Sequence, residues 1–186
     1  MVEIVTVIFI ILVISAMAVT QMQPAIETYR ANAAEAQVKG ALRQARETAV
    51  SERRNIVVSF ILNAQGQEEV DLYQVPEPAN IVATVPFLKV PVQGSVLFAL
   101  FPGAPDTPDN FGMGAPLYFG GAAYAPGSNV QFQSDGTFAD ANGNPINGSI
   151  FMSIAGYAPS SRAITILGTT GRIKSWTGTG KAWFQQ

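Results

Sequence analysis

The carboxylate of Glu3 stands directly before seventeen residues, 4–20, that carry no charge. A carboxylate beside such a run is costly in lipid unless it meets a cation, which makes Glu3 a candidate for a specific pairing. The alternative is that it sits in the headgroup layer and favours a helix N-terminus, where the backbone dipole suits negative charge. Elsewhere the chain offers little reactive chemistry. Its 186 residues include no histidine and no cysteine. The commonest general base, the commonest metal ligand and every thiol nucleophile are therefore missing. No Ser-His-Asp triad, thiolate zinc site, iron–sulfur cluster or disulfide can be built. No motif gathers a pair of carboxylates either, so the chain is expected not to be an enzyme, to use no cofactor and to hold no metal.

Three weaker motifs remain. The run Asp140-Ala141-Asn142-Gly143-Asn144 opens like a calcium loop, but Pro145 occupies the position that needs glycine and Phe151 the one that needs glutamate. A polar turn is the better reading. Asn147-Gly148-Ser149 is a formal glycosylation sequon that also reads as a turn. After Asp140 the chain has no acid, while Arg162, Arg172, Lys174 and Lys181 remain with Trp176 and Trp183 nearby. Cations interleaved with aromatics could contact DNA phosphates and bases, or a neighbouring subunit. Four scattered cations equally suit a solvated strand face that keeps sheet edges from pairing. The balance of 11 basic against 13 acidic residues weighs against a nucleic-acid binder.

The elements that would carry these residues divide sharply along the chain. As an α-helix, residues 4–20 rise about 26 Å, slightly short of a ~30 Å hydrocarbon core. A signal peptide would place basic residues first, whereas Met1-Val2-Glu3 holds none. A buried core helix would show a polar face, and this run contains only Thr6 and Ser15 inside it. Ile4, Val5, Val7, Ile8, Phe9, Ile10, Ile11, Leu12, Val13 and Ile14 thus read as a helix covered by lipid or by other copies. From Pro24 to Arg54 the sequence is rich in Ala, Gln, Glu and Arg, good helix formers. Ile26, Tyr29, Ala33, Ala36, Ala41, Ala45 and Ala49 suggest a narrow apolar stripe, with Glu35 and Lys39 paired on the polar side. Pro24 should kink or loosen the helix, and Gly40 is a second soft point. The expectation is one helix of about 50 residues, about 75 Å long. Its parts are 1–22, a membrane or core segment, and 23–54, an amphipathic one.

Residues 55–186 read as β. Strand candidates are 56–62, 70–75, 81–85, 95–101, 129–133, 149–154, 163–167 and 172–176, with turns at 63–67, 134–136 and 168–171. Pro76 and Pro78 punctuate. Short strands between Gly/Pro turns favour antiparallel sheets, so the fold class is α+β. Residues 101–127 form a long segment dense in Pro, Gly and aromatics, which packs on its own sheet or on a second subunit. The chain's 48% hydrophobic and 13% charged content is concentrated in a helix that no domain of this size can cover alone.

An apolar helix opening just after a glutamate and continuing as an Ala-rich helix into a β domain resembles the type IV pilins and type II secretion pseudopilins. QARETAVSERRNIVVSF, from Gln44, is similar to the helix end and first strand of GspH/FimT-type pseudopilins. VQFQSDGTFADANG, from Val130, and AITILGTTGRIKSW, from Ala163, are similar to that family's closing hairpins. The resemblance implies a pilin-like fold and a structural subunit of an extracellular filament on a bacterial cell surface. It implies an inner-membrane precursor pool, processing and methylation of the N-terminus by a prepilin peptidase, and partners in the pilus or secretion machinery. Copies of the chain would polymerise through the N-terminal helix. The alternative within the family is a minor pseudopilin that initiates or tips a secretion or competence pseudopilus, contacting DNA or a secreted substrate. The family's glutamate pairs with the N-terminal amine of a neighbouring subunit, and Glu3 matches that role. That glutamate is the fifth residue of the mature family chain, so either two mature residues precede Met1 or Met1 is itself the processed N-terminus.

Overall fold

The computed structural model describes residues 2–75, 82–125 and 130–185, with 18–21 described through the backbone alone. One helix, α1, runs unbroken over Val2–Glu52 and passes through Pro24 and Gly40. It ends where Arg53 takes a left-handed backbone (φ 54°) and the Arg54 N–H reaches back to the Ala49 carbonyl at 3.1 Å. This pattern satisfies carbonyls that a helix end leaves open.

Among the described residues, eleven strands follow in two antiparallel sheets, giving the α+β class. The first contains β1 (Ile56–Leu62), β2 (Glu68–Gln74), β3 (Leu88–Pro91), β6 (Val130–Phe132) and β7 (Phe138–Ala139), ordered β3-β2-β1-β6-β7. The second contains β4 (Leu117–Phe119), β5 (Ala122–Ala123), β8 (Gly148–Ile154), β9 (Tyr157–Leu167), β10 (Arg172–Gly178) and β11 (Trp183–Gln185), ordered β11-β10-β9-β8-β4-β5. The upper part of α1 packs on β9, β1, β8 and β10, so the helix bridges both sheets.

The core follows from strand alternation. Ile164 and Ile166 of β9, with Ile150, Met152 and Ile154 of β8, face α1, where Ala34, Val38, Ala41, Leu42, Ala45 and Ala49 meet them and the first sheet. Phe151, Ala163 and Trp176 project from the opposite face and are covered by Leu100, Met113 and Trp183. Every residue of β8 is therefore buried.

Several sequence expectations change here. The buried stripe of α1 is Ala31, Ala34, Glu35, Val38, Ala41, Leu42, Ala45 and Ala49. Ile26, Tyr29 and Ala36 are exposed instead, because the domain meets the helix on a face rotated from theirs. Glu35 lies on the buried face, not on the polar side. Residues 82–85 form no strand, and Ile81, Pro76 and Pro78 lie outside the described residues. Residues 95–101 contribute one bridge, Leu97 to Ser153, because β4 already occupies the neighbouring stretch of the same β8 edge. Residues 101–125 carry the β4–β5 hairpin within the expected loop, and Phe119 and Tyr124 join the main core. The loop packs on its own sheets.

Candidate assembly surface

Among the described residues, the lower half of α1 is exposed from Val2 to Met17. Its most apolar window has a mean hydropathy of 2.8 and none of it is buried. Exposure ranges from 38% at Val13 to 81% at Val2, with Phe9 at 66%. Fully burying one such side chain is worth about 1.5–3 kcal/mol relative to water. An uncovered run of this length is therefore incompatible with an isolated chain in aqueous solution. The Thr6 hydroxyl donates to the Val2 carbonyl at 2.9 Å, which satisfies its donor inside the helix.

Glu3 is exposed in the first turn of this helix. Arg30, the nearest cationic side chain along the helix, is 27 residues away, about 40 Å at 1.5 Å per residue. Among the described residues, no cationic side chain lies within 4.0 Å of the Glu3 carboxylate. Met1, the other residue expected at this end, lies outside the described residues.

Pro24 marks the place where the domain begins to grip the helix. It has no N–H to meet the Thr20 carbonyl. The Tyr157 hydroxyl lies 3.1 Å from the Pro24 carbonyl and 3.2 Å from the Thr28 hydroxyl, which itself lies 3.0 Å from that carbonyl. Two turns further on, Arg162 of β9 reaches across to α1. Its Nε and Nη2 donate to the Asn32 side-chain oxygen at 2.9 and 2.7 Å, and Nη1 donates to the Pro159 and Ser161 carbonyls. Glu35 Oε2 lies 3.5 Å from Arg162 Nε, with both side chains almost fully buried. Burial pushes the Glu35 carboxyl above its ordinary range, against the pull of Ser175, Arg162 and Lys39. Lys39 Nζ donates to the Ser175 hydroxyl at 2.6 Å. These contacts fix both the rotation and the axial position of α1 against the second sheet, because an unpaired buried charge penalises any other setting.

The four C-terminal cations do not form one face. Arg162 is 1% exposed and committed to α1, so its expected role as a DNA or subunit contact is corrected. Lys174 lies on the other face of the sheet, bonded to Asp109 and 5.3 Å from the Trp176 ring centre. Trp176 is buried, and its indole N–H donates to Thr165 at 2.9 Å, which leaves no ring face for stacking on a base. The Trp183 indole donates to the Pro105 carbonyl at 2.8 Å. Asp109 also accepts from the Thr165 hydroxyl at 2.6 Å. Its carboxylate thus pins residues 105–113 over the outer face of β9 and β10. Arg172 and Lys181 remain exposed, Arg172 beside Arg43 and Arg46 of α1.

The other motifs resolve into turns. Asp140 Oδ1 accepts from the N–H groups of Asn142 and Asn144, and Oδ2 from the Asn144 side chain, so both oxygens serve their own loop. Asn147 accepts from the Gly168 N–H at 2.9 Å, which ties the β7–β8 connection to the β9–β10 turn. Sequence reasoning did not identify Asn32, Asp109, Arg43 or Arg46. Only the i,i+3 spacing of the two arginines on an exposed helix face was visible as a signal.

No protein-family model matches the chain, and no curated protein matches it. Among solved structures, the chain is similar to the type IV minor pilin FimU of Pseudomonas aeruginosa, with a TM-score of 0.48 and 17% identity over 82% of this chain and 89% of that one. It is also similar to the minor pseudopilin EpsH from the Type 2 Secretion System of Vibrio cholerae, with a TM-score of 0.47 and 12% identity over 80% of this chain and 97% of that one.

Proposed function

We propose that this chain is a structural subunit of a type IV pilus-like extracellular filament, held in the inner membrane by the lower half of α1 before it polymerises. The observation that carries this reading is the division of one continuous helix into two environments. Above Pro24 the helix is seated on two sheets, and below it the described apolar side chains, Val2 to Met17, are exposed. Lipid covers that run before assembly, and the equivalent helices of other copies cover it afterwards. Helices leaving lipid gain less than the water-based figure, because lipid tails are themselves apolar. Packing and polar pairing must then select the arrangement. Glu3 supplies the selection: buried among apolar helices, its carboxylate penalises every axial stagger in which it meets no cation. The family resemblance assigns that cation to the N-terminal amine of a neighbouring copy.

The test is to express the chain and its Glu3→Val variant with the assembly machinery, then compare membrane fractions and sheared surface material by electron microscopy. Both proteins should insert into the membrane in equal amounts, while filaments fall about tenfold or more in the variant, since the neighbour's amine is then buried without its counter-charge, at a cost of several kcal/mol. Normal filaments from Glu3→Val would remove the register role. Long homopolymers of the wild-type chain mark a major subunit. Trace amounts within filaments of another protein would move the reading to the minor pseudopilin.

A further inference from the structure

A cleft of about 460 Å³ lies between the upper part of α1 and the β9–β10 turn, lined by Arg43, Arg46, Glu47, Thr170, Gly171 and Arg172 among others. Three arginines and one glutamate line it, and no carboxylate comes within 4.0 Å of any of the three guanidinium groups among the described residues. The chain as a whole is acidic, so this local excess of positive charge runs against its composition.

Arg46 is seated by two turns from different sheets. Its Nε donates to the Gly136 carbonyl at 3.3 Å, in the β6–β7 turn. In the β9–β10 turn, Gly171 has φ +58°, and a Cβ there would lie 2.1 Å from the Gly136 carbonyl and 2.9 Å from Arg46 Nε. The close approach of the two turns around Arg46 therefore requires glycine at 171. The Phe138 N–H donates to the Gly168 carbonyl at 2.8 Å and holds the turns together. Nε is spent on this brace, and Arg46 lines the cleft beside Arg43 and Arg172 with no carboxylate within 4.0 Å of it among the described residues.

We propose that this cleft is a seat for a phosphate dianion, either free or as a monoester. Planar guanidinium forks match the oxygen geometry of phosphate in pairs of parallel hydrogen bonds. Three cations set against Glu47 leave a net charge of two, which a dianion neutralises and a diester does not. Membrane headgroups are poorly placed to be its source. Arg43 lies 23 residues above Thr20, about 35 Å along the helix axis, several times a Debye length of about 8–10 Å.

The experiment is calorimetric titration of the full-length chain in a non-ionic detergent, at constant ionic strength, with three probes: inorganic phosphate, methyl phosphate and dimethyl phosphate. Phosphate should bind saturably at one per chain. The double variant Arg43→Gln/Arg172→Gln, both at exposed positions, should weaken it about tenfold or more, since charge-assisted hydrogen bonds are lost from two of three arms. Lys181→Gln, an exposed cation outside the cleft, should leave it unchanged. Methyl phosphate binding more tightly than inorganic phosphate assigns the seat to an esterified ligand, and the reverse assigns it to the free ion. Absence of saturable binding, equal loss in Lys181→Gln, or dimethyl phosphate binding as well as phosphate would overturn the proposal. Filament formation is not a readout, so the proposal stands or falls separately from the assembly role.

Discussion

Arg162 is the bulkiest of the fully buried side chains, and its neighbours explain how a guanidinium persists there. Asn32, two carbonyls of its own strand and the Glu35 carboxylate satisfy it from both sides of the helix–sheet joint. Removing one partner leaves the other buried without a counter-charge. Arg162→Met should therefore cost about 3–5 kcal/mol near neutral pH, measured by urea unfolding. Pairing it with Glu35→Leu should recover part of that loss, because an apolar pair of similar volume avoids the uncompensated charge. Glu35 also sets a pH dependence of known sign. Its folded carboxyl titrates above the ordinary value of 4.5, so the fold binds this proton more tightly than the unfolded chain does. The stability it contributes is complete below about pH 4.5 and is lost as pH rises through the raised value. Against Glu35→Gln, which is neutral at every pH, the wild type should lose relative stability from pH 4 to pH 7 in thermal melts. A gain over that interval would contradict the assignment.

At the scale of elements, α1 combines strong local propensity with a weak face. Gly40 sits on its exposed side, and a Cβ there would meet nothing within 4 Å. Gly40→Ala should therefore stabilise the isolated subunit by about 0.5–1 kcal/mol, through helix entropy alone, read as a raised melting temperature. A stabilised subunit that no longer forms filaments would show that a neighbour approaches closely at this glycine. The helix was legible in the sequence because its composition is helical over its whole length. Its buried face was only half legible. Ala41, Ala45 and Ala49 fit the stripe, but alanines occur on every side of residues 31–49, so periodicity could not orient the lower part of the domain contact. Glu35 and Lys39 have the spacing of a surface pair, and their contacts are with Arg162 and Ser175, more than a hundred residues away. Strands β1, β8, β9 and β10 were legible because each holds several β-branched or apolar residues in register. Strands β3, β4, β5, β7 and β11 have two to four residues each, too few to display a period of two. Residues 105–113 are held by Asp109 and Pro105, contacts that no local pattern announces.

A β domain is built around the upper half of a helix whose lower half is exposed among the described residues. The exposed positions from Val2 to Met17 form an apolar surface on all sides of that helix. Such a surface suits lipid or a bundle of like helices and gives no single docking face. The absence of cysteine makes this testable with one introduced thiol. Phe9→Cys places that thiol on the apolar segment, at a position 66% exposed in the single chain. Lys181→Cys places it at an exposed position of the globular surface, outside the apolar segment. Both variants should be oxidised in intact filaments and in membranes before assembly, then resolved by non-reducing electrophoresis. Filament material from Phe9→Cys should yield cross-linked dimers, with little cross-linking in its dispersed membrane form or in filaments of Lys181→Cys. Filaments in which Phe9→Cys stays monomeric while Lys181→Cys cross-links would contradict assembly through the N-terminal helix.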